Sequence, residues 1–140
     1  MRVFINGFGR IGRSVLRAFL QAPGQWPGLT VVGINDIAAA EMCAYLFEYD
    51  SVFGPWHGTV SLEGAAEGAA LVVNGLAIPL HRTPDISGLD LRGVDVVMEC
   101  TGRADSREVA ARGLQAGARR VLVSGPSNAA AVALYAAAMR

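Results

Sequence analysis

The feature that most constrains this chain is its start, Met1-Arg-Val-Phe-Ile-Asn6-Gly7-Phe8-Gly9-Arg10-Ile11-Gly12, running on to Leu20. An apolar, β-branched run enters a loop with glycines at 7, 9 and 12, and a helical apolar pattern leaves it. Gly-x-Gly-x-x-Gly between a strand and a helix is the setting in which the motif binds a dinucleotide. Each glycine has its own task. Gly7 permits the tight turn out of the strand, Gly9 lets the backbone approach a pyrophosphate, and Gly12 lets the helix lie close to the sheet. The helix start then turns unpaired N–H groups toward the phosphates.

Asp36 is the second informative residue, 24 residues after Gly12 at the end of the apolar run Thr30–Ile34. A carboxylate there can accept from both adenosine ribose hydroxyls and repels a 2′-phosphate. No Arg follows it, which points to NAD rather than NADP. The same residue could instead cap a helix starting near Ala38; the glycine loop favours the ribose role.

The remaining pattern alternates strands with helices. Ile11, Val15, Leu16 and Phe19 share one face of the first helix, with Arg10, Arg13 and Arg17 largely elsewhere. Ala38–Phe47 reads as a helix with Met42, Leu46 and Phe47 on its apolar face. Thr59–Leu62, Leu71–Val73 and Leu76–Leu80, with a type I′ signal at Asn74-Gly75, predict a small antiparallel excursion at a sheet edge. Val94–Met98 is a buried-type strand ending at Glu99-Cys100-Thr101-Gly102. Ser106–Gln115 is a helix, capped around Asp105 or Ser106 and closed by Gly117. Arg120–Val123 is the next strand, and the alanine-rich Ala129–Met139 is strongly helix-forming. The expected fold is α/β: one doubly wound, Rossmann-type domain over 1–140 with a mostly parallel sheet. The strand ends carrying Gly7–Gly12, Asn35-Asp36, Cys100–Gly102 and Ser124 are expected to converge on one crevice.

Other candidates are ambiguous. Arg10 faces either the pyrophosphate or solvent, and Arg82 either the adenine or solvent. His57 and His81 read as surface loop histidines. Cys100 ends a strand beside the crevice, where a small apolar filler is the plainer role than a reactive thiol. Cys43 fills the core or the surface. Neither cysteine has metal-ligand or nucleophile spacing, so no catalytic residue and no metal site is expected. All twelve basic residues are Arg, which excludes lysine chemistry. Formal net charge is zero and no basic run occurs, which disfavours nucleic acid as a partner. No leader precedes the first strand and no apolar run has the roughly 18 residues of a membrane span, so a cytoplasmic place is expected.

The stretch Asn6-Gly-Phe-Gly-Arg-Ile-Gly-Arg13 closely resembles the opening of phosphorylating glyceraldehyde-3-phosphate dehydrogenases. Four further matches follow in that family's order: Ile34-Asn35-Asp36, Tyr49-Asp-Ser-Val52, Glu99-Cys-Thr-Gly-Arg103 and Ala116-Gly-Ala-Arg-Arg-Val-Leu-Val-Ser124. Erythrose-4-phosphate dehydrogenases share most of these features. The resemblance runs to about residue 127 and implies the NAD-binding domain of a glycolytic oxidoreductase. It implies that Phe8, Gly9, Arg10, Ile11 and Gly12 hold the pyrophosphate and Asp36 the adenosine ribose. It further implies that Asn35 and Arg82 border the adenine, that Cys100, Thr101 and Gly102 line the cofactor's path, and that Ser124 nears the nicotinamide. Ala104 departs from the bulkier residue usual there.

In that family an aldehyde is attacked by a thiolate, a hydride passes to the nicotinamide, and the thioester is cleaved by phosphate. The family's Ser-x-Ala-Ser-Cys-Thr-Thr-Asn segment and its base histidine do not occur in these 140 residues. The implied activity is cofactor binding without turnover. Residues 128–140 are similar to the family's C-terminal helix, which implies a domain with its substrate half excised and that helix packed back. The alternatives are the cofactor part of an active dehydrogenase, or a module that self-associates through exposed former interdomain surface.

Overall fold

The computed structural model describes residues 1–64, 68–103 and 107–124. The strands are β1 (Arg2–Asn6), β2 (Thr30–Asn35), β3 (Tyr49–Asp50), β4 (Gly54–Pro55), β5 (Val60–Glu63), β6 (Ala70–Val73), β7 (Leu76–His81), β8 (Val96–Glu99) and β9 (Arg120–Val123). The helices are α1 (Arg10–Gln21), α2 (Ala40–Glu48), α3 (Arg107–Ala110) and α4 (Arg112–Gln115). The helix expected over 128–140, the cap at Asp105 or Ser106, and Ala104 lie outside the described residues.

Seven strands form one sheet in the order β5-β6-β7-β2-β1-β8-β9, and β3 and β4 pair separately. β7, β2, β1, β8 and β9 are parallel, while β5 and β6 add antiparallel. The mixed sheet follows from local chemistry. β1 is apolar from Val3 to Ile5 and buried there, as a central parallel strand requires. Asn74 (φ 51°) and Gly75 (φ 83°) both sit in the left-handed region and close the type I′ hairpin between β6 and β7.

Alternation along β1 divides the core between the two faces. Ile5 joins Leu16 of α1, Ile34, Phe47 of α2 and Leu71 on one side. Phe4 joins Ile86, Leu91, Val97 and Val121 on the other, where Leu114 of α4 also packs. Gly113 brings α4 down on that side: a Cβ there would stand 3.0 Å from methyls of both Val97 and Val121. On the α1 side the sheet is less covered. Val96, Met98 and Leu122 are half-buried and, with Val3, Phe19 and Trp26, line an open apolar trough of about 430 Å³.

Several expectations are corrected. Ile11 is 51% exposed and does not join the apolar face of α1. Arg17 does: it is 4% exposed, its guanidinium 5.3–5.9 Å from the ring centres of Trp56, Phe53 and Phe47, and its Nη2 donates to Gly54 O at 2.8 Å. The ring faces take up the charge that the helical pattern alone assigns to solvent. Helix α2 begins two residues later than expected and buries Cys43 with Phe47, leaving Met42 half in water. His81 closes β7 half-buried, its ring 5.7 Å from that of Phe4, so it is no surface loop residue.

Candidate functional site

The carboxyl ends of the central strands carry polar residues that face one another in register. Asn6 of β1 lies beside Asn35 of β2 and beside Glu99 of β8. Above them opens a crevice of about 410 Å³, a volume usual for small-molecule sites. Asn6, Gly7, Gly9, Asn35, Asp36, Cys100 and Thr101 line it, with Ile37, Thr83, Pro84, Glu99, Arg103, Val109 and Arg112 around them.

The glycine loop has the three-part geometry its sequence implies. Gly7 has φ +96°, and a Cβ there would lie 2.7 Å from the backbone of Cys100 and Thr101. A Cβ on Gly12 would lie 2.1 Å from Gly7 O, so α1 can sit this close only with glycine. A Cβ on Gly9 would meet nothing within 4 Å. Gly9 is thus the one glycine of the three that keeps space open in the crevice. It also starts α1, which has no side-chain cap, so the first-turn N–H groups lack helical acceptors there.

Asp36 joins this loop to the next strand. Its Oδ2 accepts from Phe8 N at 2.6 Å and its Oδ1 from Ala38 N at 2.8 Å. The residue that starts α2 as its cap is Ala39, without a side-chain bond, so Asp36 is not that cap. An ionised carboxylate offers about four lone-pair positions, so two remain for a ligand's hydroxyls.

Below the crevice runs a continuous polar chain. Thr101 Oγ1 donates to Glu99 Oε1 at 2.6 Å, and Asn6 Nδ2 donates to Glu99 Oε2 at 2.8 Å. Asn35 Nδ2 donates to Asn6 Oδ1 at 2.8 Å and to Thr83 O at 3.0 Å, while Thr83 N donates to Asn35 Oδ1 at 2.9 Å. Glu99 is 1% exposed, and burial pushes its carboxyl above the ordinary range despite the two donors that pull it down. Burial also raises the Cys100 thiol, and that of Cys43 to about 11, which keeps both protonated and poorly nucleophilic at neutral pH.

The crevice does not gather every residue singled out from the sequence. Phe8 turns its ring into the core, stacked 6.1 Å from Phe47, and presents only backbone. Arg10 and Ile11 lie on a separate shallow groove with Asp50–Phe53. Arg82 lies behind the crevice wall, its Nε donating to Ile37 O at 2.9 Å. Gly12 is behind the loop, and Gly102 turns the chain at φ +73°. Ser124 bonds through N and Oγ to Glu99 O and does not line the crevice. Asn6, Glu99 and Thr83 were not singled out as site residues, although polar residues at the ends of three apolar runs carried a signal. Among the described residues no group of His, Cys, Asp or Glu could hold a metal, and no helix is long and apolar enough to cross a membrane.

Comparison with known proteins agrees with this geometry. Residues 1–107 match the family model described as glyceraldehyde 3-phosphate dehydrogenase, NAD binding domain. The chain is 47% identical over 128 residues to a glyceraldehyde-3-phosphate dehydrogenase of Pseudomonas aeruginosa, covering 91% of this chain and 37% of that protein. It is 43% identical over 130 residues to that of Geobacillus stearothermophilus, covering 91% and 36%. To that of Bacteroides fragilis it is 45% identical over 130 residues, covering 91% and 37%. The chain thus spans little more than a third of the length of the curated relatives it matches.

Proposed function

Because this chain belongs to the family of the glyceraldehyde 3-phosphate dehydrogenase NAD-binding domain, we propose that its 140 residues bind NAD in the crevice without turning over substrate. The observation that carries this reading is Asp36 bonded to the backbone of the glycine loop beside an open Gly9. In this reading Gly9 and the first-turn amides of α1 take the pyrophosphate, with Phe8, Arg10, Ile11 and Gly12 setting the loop's shape. Asp36 takes the adenosine ribose, Asn35 borders the adenine with Arg82 bracing the wall, and Cys100–Gly102 line the path toward Ser124. Calorimetric titration tests it: NAD binds, ADP competes nearly as well, and glyceraldehyde 3-phosphate with phosphate and NAD gives no turnover. No heat at millimolar NAD, or a robust rate, overturns it. A robust rate would instead support the cofactor part of an active aldehyde-oxidising dehydrogenase.

We infer further that residues 128–140 pack as a helix over the apolar trough of β1, β8 and β9. The trough's wall is β9, from whose end that segment follows one short step later, and about 13 helical residues span ~20 Å. Deleting 128–140 is expected to lower the melting temperature and raise binding of a hydrophobic dye; an unchanged melting curve sinks the idea.

A second reading, self-association, is favoured by exposed Tyr45, Tyr49, Val52 and Phe53 around one turn. Sedimentation velocity distinguishes it, a single monomer species counting against it. We place the protein in the cytoplasm, with no nucleic-acid or membrane partner, on its neutral net charge and apolar segments too short to span.

A further inference from the structure

The polar chain under the crevice has a direction. Thr83 N and Thr83 O grip both ends of the Asn35 amide, so Asn35 offers Nδ2 to Asn6. Asn6 must therefore receive on Oδ1, and its Nδ2 faces Glu99. Glu99 Oε2 is bound to accept there. Oε1 is the oxygen whose role can change, because its side-chain partner is the Thr101 hydroxyl, which lines the crevice; the Thr101 backbone also bonds the carboxyl.

We propose that Glu99 is a positioning residue for the dinucleotide: by accepting from Thr101, whose oxygen also accepts from Arg103 N at 3.2 Å, it leaves that hydroxyl one lone pair for the crevice, where it takes a sugar hydroxyl rather than a phosphate oxygen. This rests on NAD occupying the crevice. With Glu99 ionised, Thr101 spends its hydrogen on Oε1 and can only accept from a ligand. A proton on Oε1 reverses the bond. Glu99 then donates to Thr101 Oγ1, and the Thr101 hydrogen is released to point elsewhere. Among the described residues, few charged or titratable groups surround this pair. Cys100 adjoins it, Asp36 follows β2, Arg103 follows β8, and Arg112 comes from α4; Ser124, just after β9, bonds the Glu99 carbonyl and the Cys100 thiol.

Glu99→Gln imitates the protonated state. Asn6 fixes which side of the new amide accepts, so Gln Nε2 faces Thr101 and donates to it. Thr101→Val removes the hydroxyl while leaving Glu99 in place, and decides the matter should Glu99→Gln fold poorly. The full chain is titrated with NAD between about pH 5 and pH 8. Wild-type affinity is expected to fall about three- to tenfold as pH drops through the Glu99 titration. Glu99→Gln is expected to show the weakened affinity already at pH 8 and to lose the pH dependence that Glu99 contributes. Thr101→Val is expected to lose a similar factor, and the double variant no more than either single one. Wild-type affinity and pH profile in both variants overturn the inference while leaving NAD binding intact. No NAD binding by wild type at any pH overturns the dinucleotide reading and this inference together.

Discussion

Asn6 donates to Glu99 across the β1–β8 register at 2.8 Å, both side chains buried at the floor of the crevice. Such a bond costs most when one side is changed to repel the other. Asn6→Asp sets two buried carboxyl groups face to face, where one must hold a proton. The expected loss is about 2–4 kcal/mol at pH 7 in urea denaturation, shrinking at pH 5 as the shared proton is supplied. An equal deficit at both values refutes the like-charge account.

Glu99 also links stability to pH with a sign opposite to the usual carboxylate. Its folded-state pKa lies above the unfolded value, so the fold binds that proton more tightly. The stabilisation it contributes is present below the ordinary carboxylate range and lost as pH rises through its raised value. Asp85, Asp90 and Asp95 are held low and act the other way, losing their contribution as pH falls. Comparing wild type with Glu99→Gln cancels those three. The difference in unfolding free energy is expected to shift toward the variant as pH climbs from the ordinary carboxylate range through the raised Glu99 value, then level off. A flat difference across that range argues that the two donors, not burial, govern Glu99.

Two glycines three residues apart separate folding from binding. Gly12→Ala drives a methyl against Gly7 O, so a loss of about 2–4 kcal/mol is expected on unfolding, with NAD binding impaired as the loop shifts. Gly9→Ala meets no atom and its backbone is extended at φ −77°. Its stability is expected within about 1 kcal/mol of wild type, while NAD affinity is expected to drop about tenfold or more because the methyl stands where the proposed binding mode brings the phosphate. Equal damage to stability by both substitutions contradicts this division.

Arg17 supplies a second separation. Among the described residues its guanidinium is met by three ring faces and the Gly54 carbonyl rather than by a contacting carboxylate. Arg17→Ala is expected to cost about 2–4 kcal/mol through lost ring contacts and an empty volume. Because the cage lies away from the crevice, NAD affinity of the folded fraction is expected to stay within about twofold of wild type. Urea denaturation and a titration at low temperature measure the two effects.

What the sequence discloses here depends on distance along the chain. The strand–loop–helix start, the I′ hairpin and Asp36 are set by residues close together, and their chemistry was readable before any fold. The Asn6–Glu99 and Asn6–Asn35 contacts depend on parallel register across residues 93 and 29 apart. No periodicity records that register. Arg17 was misplaced for the same reason: the helical pattern sees its neighbours on α1, whereas Phe47, Phe53 and Trp56 come from the next helix and the turns beyond it. Strand ends are the exception to that blindness. Polar residues closing three apolar runs mark the edge where a doubly wound sheet takes its ligand, and Asn6, Asn35 and Glu99 stand there together.

The bond from Phe8 N to Asp36 Oδ2 has one more consequence. If Asp36 takes the ribose as proposed, a carboxylate that also holds the loop makes the two halves of the ligand feel each other. In the proposed binding mode, ribose hydroxyls on Asp36 would fix the atom that steadies Phe8 N, and a steadied loop would meet a phosphate with less freedom left to lose. Adenosine and pyrophosphate given as separate molecules are therefore expected to bind cooperatively, each raising the other's affinity by the same factor.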